Sequence, residues 1–221
     1  MLLVRVFDEE TVGHFQFVLT AMGLAGIFTL SGLSQAVVQS AARGHLGTFR
    51  LALKWQLAGS VIGAAALLGY WLLMPAEDPI RDGVFAAGLL FPLSSGLSGW
   101  TSFQTGEGKF KLNAIWQGVA FLMSYGSMIL CLLLGDPGIL WLIVIMNVAL
   151  AALNVVALAT ILRRVPRNAA PEPGALKYGL QMSIWGVANT LGNNIDKVLI
   201  FAFLSPASLA TFVIAERIPE I

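Results

Sequence analysis

Six stretches, each long enough to cross a bilayer and almost free of charge, follow one another along the chain. They run over residues 15–38, 55–74, 84–103, 112–134, 138–162 and about 178–204, and only Asp196 and Lys197 interrupt the last. A helix rises 1.5 Å per residue, so about 20 apolar residues span the hydrocarbon layer. Inside that layer every backbone N–H and C=O must be paired within the protein, which leaves helices and closed barrels. None of the runs shows the ten-residue alternation of a barrel strand. The predicted fold class is therefore an all-α integral membrane protein, a polytopic helical bundle. Composition agrees: 57% of the residues are hydrophobic and 11% charged, against about 25% charged in a soluble domain, and the mean hydropathy is +0.80.

Orientation follows from the connections, because cytoplasmic loops retain Lys and Arg. Arg43, Arg50 and Lys54 lie between the first two runs, Lys109 and Lys111 between the third and fourth, and Arg163, Arg164, Arg167 and Lys177 between the fifth and sixth. The alternate connections differ: "PAEDPIRDG" sets Arg81 among acids, and "GDPG" carries no base. The basic loops are assigned to the cytoplasm, so residues 1–13 start outside it. "MLLVRVF" then reads as the end of a preceding helix and "SLATFVIAERIPEI" as the start of another, and the chain is expected to be a fragment cut at both ends. The loop 163–177, "RRVPRNAAPEPGALK", is rich in proline, which lacks an amide donor and restricts its neighbour. It reads either as a linker between two helical groups or as an ordinary basic loop.

Several classes of function find no support. A net charge of +1 does not point to nucleic acid. The single cysteine, Cys131, excludes a disulfide framework and is expected as a small buried thiol. His14 and His45 are far apart, which argues against a metal cluster or histidine-based catalysis. No cleavage site for a signal peptide follows Met1, and no cofactor is implied.

Polar residues inside the runs fall into two kinds. Gly59 and Gly63 are spaced for close helix approach. Asn147 and Asn154 share one helical face, Asn113, Gln117 and Ser124 another, and Gln35 and Gln39 sit one turn apart. Each set either bonds neighbouring helices or lines a polar interior. Pro92, among the glycines of "LLFPLSSGLSGW", is expected to bend the third run. The sixth run is different. At 100° per residue, Asn189, Asn193, Asp196 and Lys197 fall within about 100° of one another, opposite Ile184, Leu191, Val198 and Ala202. A helix ending near Leu204 places Lys197 about 10 Å below the outer boundary. Ionisable groups at that depth cost a few kcal/mol and face either an ionic partner or a water-filled path. Both readings stand at this point.

The segment "NNIDKVLIFAFLSPASLATFVIAERIPE" resembles the start of the second half of bacterial polysaccharide flippases, where an Ile-Asp-Arg/Lys group opens an apolar run that ends in a Leu-Ser turn. "TVGHFQFVLTAMGLAGIFTLSGLSQAVVQSAARG" is similar to the second helix of that family, the oligosaccharide-lipid exporters of the multidrug/oligosaccharidyl-lipid/polysaccharide exporter superfamily. Thr11 and His14 stand where an acid and a tyrosine are commoner in the family. The resemblance implies two six-helix lobes around a cavity that opens to one membrane face at a time. Residues 1–162 would be a first lobe without its first helix, 163–177 the cytoplasmic linker, and 178–221 the start of the second lobe.

The resemblance also implies a function: moving polyprenyl-diphosphate-linked oligosaccharide across the bacterial inner membrane for O-antigen or exopolysaccharide synthesis. Membrane lipids, a polysaccharide polymerase and glycosyltransferases would be partners. In such a transporter cations bind the diphosphate and amides the sugar hydroxyls. Lys197, Asn189 and Asn193 are assigned to that role, with Gln117 and Asn113 facing them across the gap between lobes. Asp196 would hold Lys197 or sense a coupling ion. Arg43 and Lys54 lie at the cytoplasmic entry, where they act as topology signals or attract phosphate. Two other readings are a cation-coupled drug exporter of the same superfamily, which needs a coupling acid that the first five runs lack, and a membrane glycosyl- or acyltransferase, which needs a histidine or paired carboxylates on a loop.

Overall fold

The structure is a computed structural model and describes residues 7–134 and 138–217. Most of "MLLVRVF", the last residues of "SLATFVIAERIPEI" and the Cys131 side chain lie outside the described part. Among the described residues ten α-helices follow in order: α1 (Glu9–Ala25), α2 (Gly32–Ala42), α3 (Gly47–Leu73), α4 (Arg81–Ser94), α5 (Trp100–Gly106), α6 (Phe110–Leu134), α7 (Ile139–Leu162), α8 (Ala175–Gly192), α9 (Ile195–Phe203) and α10 (Pro206–Arg217). No strand occurs among the described residues. By length and composition Glu9–Thr29, Gly47–Leu73 and Leu140–Leu162 can each cross a bilayer. The chain is an all-α, multi-pass membrane protein.

Three of the six expected spans form continuous helices, α3, α6 and α7, and three are broken. The first breaks between α1 and α2. A 3₁₀ turn, Gly26–Thr29, ends at Leu30, whose φ of 54° is left-handed. The third separates into α4 and α5. Pro92 cannot donate to the backbone, and α4 stops three residues later at Ser95, whose N–H reaches back to the Phe91 carbonyl. The sixth, predicted as one helix over 178–204, breaks at Asn193 and Asn194. There the Asn194 side-chain amide bonds the Thr190 carbonyl at 2.7 Å, taking an acceptor that the helix ladder would use. Pro206 then opens α10, and the Ser205 hydroxyl accepts the Ser208 N–H at 3.1 Å as its cap.

Broken backbone at membrane depth survives only where protein covers it, and the glycines show how that is done. A Cβ on Gly59 of α3 would lie 1.9 Å from the Phe28 carbonyl oxygen, and one on Gly63 would lie 2.8 Å from that of Ala25. The pair thus seats α3 directly on the break after α1. A second close approach joins α2 to α8, where a Cβ on Gly32 would lie 2.2 Å from the Ser183 nitrogen. Ser183 Oγ accepts the Gly32 N–H at 3.1 Å and donates to Gly179 O at 2.8 Å.

Two main cores result. Leu33 and Val37 (α2), Phe49 (α3), Trp100 and Phe103 (α5) and Ala157 and Ile161 (α7) form one. Phe15 and Val18 (α1), Val84 and Ala87 (α4), Leu142 and Ile143 (α7) and Leu209 and Val213 (α10) form the other. Large apolar side chains such as Leu73, Leu122, Ile184 and Trp185 point outward, as they do where the surrounding solvent is lipid.

Candidate functional site

The predicted polar stripe straddles the break between α8 and α9. Asn189 and Asn193 end α8 with exposed side chains, and Asp196 and Lys197 open α9 half-buried. Asp196 Oδ1 accepts the Lys197 backbone N–H at 2.8 Å, so the carboxylate serves the first turn of α9, where the helix dipole favours a negative charge. The Lys197 ammonium points elsewhere. Its Nζ lies 3.0 Å from Glu216 Oε2, 3.4 Å from Glu216 Oε1 and 3.3 Å from the Asn193 carbonyl oxygen. The Lys197 side chain is 18% exposed and Glu216 48%. Lys197 therefore has an ionic partner on α10. Sequence reasoning missed Glu216, although a lone acid inside "SLATFVIAER" was the available signal.

Aromatic contacts hold α9 against α1. Phe201, one turn beyond Lys197, stacks on Phe17 at 3.8 Å between ring centroids and meets His14 edge-on at 6.0 Å. His14 is buried. Thr11, the other unusual residue of this segment, lies in the first turn of α1 and donates its hydroxyl and its N–H to the capping Asp8 carboxylate at 2.6 and 3.1 Å, and these bonds hold the Asp8 carboxyl below its usual value. Asn194, which was not singled out, turns inward, with Oδ1 3.4 Å from where a Cβ on Gly23 of α1 would sit. On the apolar side of the same helices, Leu191 and Val198 join Phe17, Leu24, Phe28 and Tyr70 around a cavity of about 470 Å³.

Gln117 and Asn113 sit elsewhere. Asn113 is buried and donates to Thr105 Oγ1 at 3.0 Å, tying α6 to α5. Gln117 is exposed and lines a cavity of about 400 Å³ with Ser94, Thr101, Tyr125 and Asn154, all from α4 to α7. That cavity includes no residue of α8, α9 or α10, so the structure does not bring this pair together with Lys197. Asn154 of α7 is committed to packing between helices. Asn154 Oδ1 accepts the Trp100 indole N–H at 2.8 Å, and its Nδ2 donates to the Leu93 and Ser94 carbonyls at 3.2 and 2.7 Å. It thereby pairs carbonyls left open where α4 ends. Asn147 Nδ2 donates to Ile143 O at 2.9 Å.

A third polar cluster lies at the basic end. Glu172, in the proline-rich loop, accepts from Ser40 Oγ and from Arg43 Nη1, both at 2.6 Å, while its N–H donates to Thr48 Oγ1 at 2.9 Å. The Ser40 hydroxyl first, and then Arg43, hold the Glu172 carboxyl below the usual glutamate range. Gln39 Nε2 donates to the Tyr178 hydroxyl at 2.9 Å, and Arg50 donates to the carbonyls of Leu162, Val165 and Pro166. The loop and α8 are thus fastened to α2 and α3. Among the described residues no group of three or more His, Cys, Asp or Glu is placed to hold a metal ion.

The family described as "Polysaccharide biosynthesis protein" matches over residues 1–221, the whole chain. The chain belongs to the polysaccharide biosynthesis protein family. Its multi-pass helical bundle accordingly has a role in the synthesis or export of polysaccharide. No curated protein and no solved structure matches significantly. The break in the sixth run thus carries the Lys197 ammonium on one side and the exposed Asn189 and Asn193 side chains on the other.

Proposed function

We propose that this member of the polysaccharide biosynthesis protein family moves polyprenyl-diphosphate-linked oligosaccharide from the cytoplasmic to the outer leaflet of the bacterial inner membrane by alternating access. The observation that carries the reading is Lys197. It is a cation only 18% exposed, in the first turn of a helix that starts at a break, with Asn189 and Asn193 exposed at the end of the preceding helix. Broken helices with charged or amide groups at the interruption are a recurring way to build a substrate site within a membrane. Lys197 would take the diphosphate through charge-assisted hydrogen bonds, and the two asparagines the sugar hydroxyls. Asp196 keeps α9 in place. The polyprenyl tail would stay against the exposed apolar faces.

In this scheme residues 1–162 form the first lobe, 163–177 the linker, and 178–221 the start of the second lobe. Gln117, in the cavity between α4 and α7, would meet sugar only as a separate contact in the first lobe, and Asn113 supports the wall beside it. A polymerase and glycosyltransferases would supply and consume the lipid-linked sugar. Ammonium and amide groups suit binding and release, and the reading is transport without bond-making.

The test is Lys197→Ala in the complete protein, with surface polysaccharide measured relative to membrane-inserted protein. Loss of a charge-assisted contact of about 1.5–3 kcal/mol corresponds to a decrease of roughly tenfold or more at limiting substrate. Unchanged export at normal protein levels overturns the role of Lys197.

A further inference from the structure

An ammonium has three N–H donors, and three acceptor oxygens already surround that of Lys197: both carboxylate oxygens of Glu216, at 3.0 and 3.4 Å, and the Asn193 carbonyl at 3.3 Å. The cation proposed to hold the substrate is thus already engaged from within the chain. A ligand anion that binds it competes with these groups. The Asn193 carbonyl belongs to the backbone at the end of α8 and cannot leave. Glu216 can: its side chain is 48% exposed, so its carboxylate can exchange the Lys197 ammonium for water.

We infer that Glu216 is a built-in competitor for Lys197, and that it restricts the site to anions carrying more charge than one carboxylate, the phosphate and diphosphate class. A monoanionic ligand exchanges one carboxylate-like contact for another and gains nothing. A diphosphate offers several oxygens and at least two charges, so it retains a net advantage after Glu216 has swung into solvent. Displacement also frees the end of α10 from α9, which links occupancy of the site to the contact between these two helices. The inference rests on Lys197 being the diphosphate-binding cation, and the two ideas fail separately.

The experiment is titration of the complete protein in lipid nanodiscs with inorganic pyrophosphate and with acetate, by calorimetry. A partly exposed ion pair of this kind corresponds to roughly threefold to fivefold in affinity. Glu216→Gln is expected to tighten pyrophosphate by that factor and to admit measurable acetate binding. Glu216→Asp, which keeps the charge and shortens the reach, is expected to change in the same direction by less. Lys197→Ala is expected to abolish pyrophosphate binding in either background. If Lys197→Ala binds pyrophosphate as the unsubstituted protein does, the substrate role of Lys197 is wrong and the inference goes with it. If Lys197→Ala loses binding while both Glu216 variants bind no more tightly, Lys197 keeps its role and Glu216 is a structural partner.

Discussion

Asn154 shows how a polar side chain in an apolar helix is made affordable. It is 4% exposed and spends both halves of its amide on α4 and α5, accepting from Trp100 and donating to the Leu93 and Ser94 carbonyls. Leucine there would keep the volume and orphan a buried indole N–H and two carbonyls. Unpaired buried groups cost about 1–3 kcal/mol, so Asn154→Leu is expected to lower the unfolding midpoint in detergent by several degrees. An unaltered midpoint would show that these bonds contribute nothing net. The residues themselves, and their spacing, were legible in the sequence. Which of them bond helices and which face a cavity was not, because helical periodicity gives a face but not its neighbour. Asn113 and Gln117 are one turn apart on α6, yet one is buried against Thr105 and the other exposed.

At the scale of elements, continuity was the feature least legible. Hydropathy counts apolar residues and does not register a break, so the first, third and sixth runs each read as a single span although each forms two helices. Pro92 was the one visible warning. Leu30 gave none, since a leucine at positive φ is held there by its surroundings rather than by its own preference. The glycine pair of α3 supplies part of those surroundings and a direct test. Gly59→Ala drives a methyl group into the Phe28 carbonyl, which only backbone movement can relieve, and overpacking of this kind costs about 1–3 kcal/mol. Gly69 lies in the same helix with nothing within 4 Å of its would-be Cβ, and Gly69→Ala should leave stability equal or raise it by up to about 1 kcal/mol. Thermal unfolding of the two variants side by side decides the matter: equal effects would mean that Gly59 is not the seat of the break.

For the molecule as a whole, the consequential contacts are those that dock residues 163–217 onto what precedes them. α8 lies on α2 through Gly32, Gly179 and Ser183, α10 lies on α1, and Glu172 ties the loop to Ser40, Arg43 and Thr48. Because folding lowers the Glu172 carboxyl below the usual glutamate range, its contribution is fully present above that range and is lost as pH falls through the depressed value. Hydrogen exchange at the amides of residues 169–176 should therefore stay slow at neutral pH and quicken on acidification below the glutamate range, after correction for intrinsic exchange. Glu172→Gln should exchange faster already at neutral pH and lose most of this added acid dependence. A loop equally protected in both proteins would remove Glu172 as the fastening.

The sequence by itself determined the class of fold, because six long, nearly uncharged runs leave the backbone no alternative to helices in lipid. It also determined the family resemblance and the polar stripe from Asn189 to Lys197. Only the tertiary structure decided that Lys197 pairs with Glu216, that Asp196 serves its own helix, and that Gln117 and Asn113 belong to a different place. The physical reason is that an ion pair between helices depends on how two elements joined by a Leu-Ser-Pro turn fold back on each other. Spacing along one helix records which residues share a face, whereas the partner of that face is set by packing between elements, here by Phe201 on Phe17 and by α10 on α1.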